Sequence, residues 1–422
     1  MAVAEHAGYQ LEEGYRLEKV VGLLNYPSNV EFSPEGDIFI AEAGFTYPFI
    51  YAPTRISRLR DGDRETVAEG FHGPLIGLHW HDGGLLATHR GTLTRVDLDG
   101  RKTDLVADLT SYGDHHTNHI VVKDGLVYFG QGTVTNSGVV GPDNLVEYGW
   151  LIGHRQGHDV PLYDVVLSGA SFRSRDPFNP LRHVETGPFL PIGEPAKPGQ
   201  LVKGEEKATG VIYRCNPDGS ELTVFAWGLR NPYALALAPD GRLLTINQGE
   251  DNRGSRAFED APDALFEVRE GAWYGWPDFS AGRPARDFQE GIETDNPKGF
   301  VLRDHPAAPE QPLHVFTPHA AAASLDFATE AFGFAGEAFV AEYGAGAPLT
   351  TGGKMISAGQ KIVRLDMANM QERDFYISTG MTGGPRHPVQ AKFAPDGRAL
   401  YIVDHGYFGV PKSGALYRIS PD

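Results

Sequence analysis

Asp114, His115, His116, Asn118 and His119 stand together in GDHHTNHIVVKDGLVYFGQG, residues 113–132, directly before an apolar run. Neutral imidazole accepts a proton or a metal ion near neutral pH, so imidazoles beside a carboxylate and amides suit acid–base or metal chemistry. Taken singly, each histidine reads as loop polarity. As a cluster at the mouth of a strand they nominate a reaction site, with Gln131 at the end of the next strand. The single cysteine, Cys215, falls in an apolar strand and reads as a buried inert thiol. It excludes an internal disulfide framework and any multi-cysteine metal site.

The elements that must hold this cluster repeat. NVEFSPEGDIFIAEAG (29–44) reads as strand, turn, strand, glycine, and the same grammar returns at 77–91, 119–132, 234–249, 325–344 and 391–406. Most copies turn on Asp-Gly or Glu-Gly, which tolerate the positive φ of a tight hairpin, between residues alternating with the two-residue period of strands. A third strand follows with the signature apolar-x-Arg-apolar at Arg58, Arg95, Arg214, Arg364 and Arg418, and with Glu267 as the variant. A fourth strand is legible after most copies, as in 65–71, 103–109 and 222–229. Six such units predict an all-β, six-bladed β-propeller of four-stranded blades, one domain over 1–422. The last unit lacks a fourth strand, and GYRLEKVVGLL (14–24) is expected to supply it by pairing with the C-terminal blade. Two aperiodic stretches, 133–208 and 272–314, interrupt the repeat as insertions, and the first is expected to form a lid or wall over the histidine cluster.

In this architecture the loops into the inner strands and out of the second strands converge at one end of the axis. They bring His72, the 114–119 cluster, Arg230, Asn231, His319, Arg386 and His387 from one set. Glu42, Gln131, Gln248, Glu342, Tyr343, Asp404 and His405 come from the other. Along the inner strands, Glu31, Asp326 and Lys392 share a phase and are expected to pair as a structural ion cluster.

The balance of 37 basic against 55 acidic residues gives −18, spread without long runs, which argues against nucleic acid or an anionic membrane as partner. No apolar run approaches the ~18 residues a membrane span needs, so no membrane insertion is expected. The start is polar, without a signal-peptide core. The expectation is a soluble protein, cytoplasmic as written, or periplasmic or secreted if the chain is a trimmed mature form.

DHHTNHIVVKDGLVYFGQG, GLRNPYALALAPDGRLLTINQGEDNRG, GAWYGWPDF and RHPVQAKFAPDGRALYIVDHG together resemble the soluble glucose/sorbosone dehydrogenase family. That resemblance runs over most of 15–422 and implies a six-bladed propeller that uses pyrroloquinoline quinone (PQQ) with calcium to oxidise a sugar or polyol. It also implies an external electron acceptor. His115 matches the base that takes the substrate hydroxyl proton, with Asp114 beside it to fix the tautomer. Arg230 and Asn231 match the pair that touches the quinone oxygens, Arg230 also steadying charge there. The carbonyls of Gly249 and Glu250 match the calcium ligands, hard oxygen donors that suit the ion. His72, Gln248 and Arg386 are further candidates for the cofactor, and His116, Asn118 and His319 for the substrate.

Departures are visible too. Blade five has no lysine at the matching place, only Lys354 and Lys361 nearby, and blade six offers Arg386 alone, so fewer cations meet a tricarboxylate cofactor. Two other readings stay open: a calcium-dependent hydrolase or lactonase using Glu31 or Glu42 with Asn118, Asn231 and Asp404, and a non-catalytic sugar-binding propeller.

Overall fold

The computed structural model describes residues 3–46, 50–345 and 348–422. Asp-Gly turns behave as their chemistry dictates: Asp82–Gly83 and Asp124–Gly125 all take positive φ, closing hairpins in which His81 faces Gly84 and Lys123 faces Leu126. The third-strand arginine has a local task as well. Arg95 donates from both terminal nitrogens to the carbonyls of His81 and Asp82, each at 2.7 Å, and so ties its strand to the hairpin turn. Arg364 instead pairs with the carboxylate of the turn residue Glu337 at 2.9 Å.

The hairpins extend into six antiparallel sheets of four or more strands among the described residues, beside four two-stranded ribbons, and the six-bladed reading is borne out. Inner strands run Pro27–Phe32, Leu75–His81, Thr117–Lys123, Pro232–Leu237, Ala322–Phe327 and Pro388–Phe393 for blades one to six. Fourth strands expected at 65–71, 103–109 and 222–229 run Asp63–Glu69, Lys102–Val106 and Thr223–Trp227. In blade four the fourth position is only His314–Val315, reached after the second insertion. Strand Tyr15–Leu24 pairs antiparallel with Gly414–Pro421, from Tyr15 opposite Pro421 to Leu24 opposite Gly414. Blade five carries two additional strands, Val3–His6 and Tyr9–Glu12, added to its outer edge.

Apolar side chains between adjacent blades form the core. Phe39, Ala41 and Ile56 of blade one pack with Leu78, Leu85 and Ala87 of blade two, all buried. Truncating a side chain such as Phe39 to Ala would cost ~3–5 kcal/mol. On the inner strands Lys392 pairs with Glu31 at 2.6 Å. Asp326 accepts from the backbone N–H groups of Phe327 and Phe393 at 2.9 and 2.8 Å.

The first insertion leaves after Gln131 and returns at Val211. Asp159 staples its two ends: its buried carboxylate accepts from Val134 N at 2.6 Å and from Thr209 Oγ1 at 3.0 Å. Within it, the short helix Asp143–Val146 brings the following residues to the propeller axis.

Candidate functional site

A cavity of about 490 Å³ opens at the end of the axis where the inner strands begin. Asp114, His115, His116, Asn118, Arg230, Asn231, Gln248, Gly249, Glu250, His319, Tyr343 and His405 all line it, so twelve sequence-nominated residues from four blades meet. Val146, Glu147 and Tyr148 of the first insertion form part of its wall.

His115 is the best-defined group. Its Nδ1 lies 3.0 Å from the Thr133 carbonyl, which can only accept, so Nδ1 carries the proton and Nε2 keeps the lone pair. Thr133 is fixed in turn, its hydroxyl donating to Thr135 O at 2.7 Å. Burial, then Arg230 and Arg253, hold the imidazole pKa well below its ordinary value, so the ring is neutral at neutral pH. Close packing places it: a Cβ on Gly132 would lie 2.3 Å from His115 Cβ and 2.8 Å from Asn231 Oδ1. That is why the strand ends Gln-Gly.

Asp114 departs from its expected role. Its carboxylate accepts from Trp150 Nε1 at 2.7 Å and Asn144 Nδ2 at 3.0 Å, and pairs with Arg253 at 2.8 Å. It anchors the first insertion, while Thr133 sets the His115 tautomer. Burial raises the Asp114 carboxyl to about 6, against the opposing pull of Arg253.

An amide relay crosses three blades. Asn118 Nδ2 donates to Asn231 Oδ1 at 2.8 Å, Asn231 Nδ2 to Gln248 Oε1 at 2.8 Å, and Gln248 Nε2 to Ala322 O at 3.2 Å. The relay fixes every amide orientation and leaves the buried Asn118 Oδ1 without a partner among the described residues. Arg230 sits beside it, donating to Asn136 O at 3.0 Å and pairing with Asp251 at 2.8 Å. His116 donates from Nδ1 to Ser111 O at 2.9 Å, and burial takes its pKa down to about 3. His319 pairs through Nε2 with Asp260 at 2.9 Å.

Two nominated residues lie elsewhere. His72 is exposed and shares a separate groove with Arg90, although Pro74 of the same loop lines the axial cavity. Arg386 does not line the axial cavity, and its Nη1 lies 3.5 Å from Gly380 O. Lys354 pairs with Glu259, and Lys361 pairs with Asp374 at 2.8 Å. The carboxylates of the hydrolase reading are also dispersed. Glu31 pairs with Lys392, Glu42 accepts from Asn25 N at 2.7 Å, and Asp404 accepts from His387 N at 2.8 Å.

Sequence reasoning missed the charge cluster behind the wall. Arg253, fully buried, pairs with Asp114 at 2.8 Å, Asp143 at 2.5 Å and Asp251 at 3.2 Å, with the Tyr148 ring 4.3 Å from its guanidinium. The GEDNRG run after the blade-four strand was the available signal.

The geometry is that of a six-bladed propeller with a polar axial cavity, and known proteins of this shape can be set beside it. The family model for glucose/sorbosone dehydrogenase matches residues 189–349, which bears out the resemblance from the end of the first insertion to blade five. Among solved structures, the holo PQQ domain of pyranose dehydrogenase from Coprinopsis cinerea is 14% identical with a TM-score of 0.63, covering 98% of this chain and 97% of that one. The apo soluble aldose sugar dehydrogenase from Escherichia coli is 13% identical with a TM-score of 0.60, covering 97% and 100%. The PQQ-bound aldose sugar dehydrogenase from Streptomyces coelicolor is 13% identical with a TM-score of 0.55, covering 97% and 99%. No curated protein matches the sequence. At these identities the structures share the fold.

Proposed function

We propose that this chain is a sugar or polyol dehydrogenase that works with PQQ and calcium. The observation that carries the reading is His115: a buried, neutral imidazole with its lone pair at Nε2, on a cavity it shares with Arg230 and Asn231.

The residues present fit the quinone end of such a cofactor. Arg230 and Asn231, both N–H donors on the cavity wall, would hold the quinone oxygens, which only accept. The Gly249 and Glu250 carbonyls would hold calcium, in keeping with its taste for hard oxygen donors. The carboxylate end is less well served, since Arg386, Lys354 and Lys361 do not line the cavity.

When bound, the quinone supplies a two-electron hydride acceptor that an external electron acceptor reoxidises. His115 Nε2 takes the proton of the substrate hydroxyl, and Thr133 holds the ring in the required tautomer throughout. Arg230 supplies fixed positive charge where negative charge develops, from a guanidinium already oriented by Asn136 and Asp251. Asp114, through Arg253, Trp150 and Asn144, keeps the insertion wall in place and so keeps water out.

Dye-coupled oxidation of a panel of aldoses and polyols, with calcium and with or without PQQ, tests the reading. Turnover that requires the quinone supports it. Sugar turnover without quinone, or no turnover of any sugar or polyol with it, rejects it.

A further inference from the structure

Glu147 follows the short helix Asp143–Val146 of the first insertion and lines the axial cavity. The residue is only 9% exposed, and its Oε2 has no hydrogen-bond partner among the described residues. The charged groups facing it are Arg253, Asp251, Asp143 and Asp114, with Tyr148 beside them on Arg253. Arg253 is the one cation in that set, and three carboxylates already share it. An ionised Glu147 would add a negative charge that no cation matches, and it would repel an anionic ligand.

A carboxyl group that keeps its proton behaves otherwise. It is a donor as well as an acceptor, and it brings no charge into the cavity. Such a donor is what the cavity needs where the expected clamp cations are absent.

We propose that Glu147 is a cofactor-contact residue that binds as the neutral acid, its carboxyl O–H donating to an anionic oxygen of the cofactor in place of a clamp cation. The inference rests on the quinone reading above. Burial, followed by repulsion from the neighbouring aspartates, pushes the Glu147 carboxyl up to about 7 against the pull of Arg253. The proton is therefore held below about pH 7 and lost above it.

The test is equilibrium binding of PQQ with calcium to the full chain, without substrate, read by quenching of tryptophan fluorescence from pH 5.5 to 8.5. Wild type should bind most tightly at the acid end, with Kd rising up to about tenfold per pH unit above 7. Glu147→Gln keeps an N–H donor of nearly the same shape and cannot ionise, so its Kd should stay near the low-pH wild-type value across the range. Glu147→Ala should bind about tenfold more weakly at pH 5.5. A wild-type Kd that ignores pH, or a slope that persists in Glu147→Gln, overturns the inference and leaves the quinone reading standing. Absence of binding at every pH overturns both.

Discussion

Two sets of buried charges, one on the inner strands and one in the segments around the axial cavity, are finished differently. Glu31, three residues beyond the cavity-lining Ser28 and so about 10 Å further along its strand, pairs with Lys392, while Asp326 is satisfied by two backbone N–H groups. The charges at that end have partners within the protein. At the cavity end, one guanidinium serves three carboxylates, and oxygens of Asn118 and Glu147 lack partners among the described residues. Glu31, Lys392 and Asp326 are matched within the protein. Charges around a ligand site keep valences for the ligand.

The largest expected effect tests the cavity end. His115→Ala should lower kcat by roughly 10²–10⁴ with nearly unchanged stability, the usual range for losing a positioned base. His116→Ala should cost less; an equal loss would move the base assignment to the pair. Breaking the matched end gives the reverse pattern. Lys392→Met strands Glu31 beside Asp326 and should cost about 2–4 kcal/mol in denaturant unfolding while leaving ligand affinity unchanged.

A pH profile sharpens the contrast. The His115 pKa is held well below 6.5, so the ring stays in its basic form as pH falls through that value. At saturating cofactor, kcat should show no acid limb near 6.5; a limb there that disappears in His115→Ala would contradict the burial argument. The smallest effect concerns residues outside both sets. His72→Ala and Arg386→Ala should each change PQQ affinity by less than about threefold. A tenfold loss in either would show that the cavity reaches further than its present walls.

The blades were legible in the sequence because their signals are local. An Asp-Gly turn and a third-strand arginine act within some fifteen residues, as Arg95 and the Asp82 carbonyl do. Most of the cavity lining was legible for the same reason, since a propeller sends the ends of its inner strands to one place. His72 and Arg386 do not line the cavity, because which side chains of a loop face the axis depends on packing that no periodicity records. Asp143 and Glu147 were missed because they sit in an aperiodic insertion, where they meet Arg253 across more than a hundred residues of chain. The assignment of Asp114 as partner of His115 confused sequence neighbours with spatial ones. Adjacent residues at a strand entry face different ways, and Thr133 took the place. The edge strands Val3–His6 and Tyr9–Glu12 left no trace in the repeat, because adding to a sheet edge requires only backbone.

The pairing of Tyr15–Leu24 with Gly414–Pro421 has a consequence for synthesis. Blades one to five each take their four radial strands from one continuous stretch of chain, insertions included, and can form in turn as the ribosome delivers them. The sixth cannot. Its outer strand is residues 15–24 and its other three lie within 388–421, so the early strand must stay unpaired while the five blades between them are made. During that interval Tyr15–Leu24 is an exposed strand edge, and nascent chains held side by side on one message present the same edge to one another. The step that completes the ring is thus the one most open to error, and it comes last.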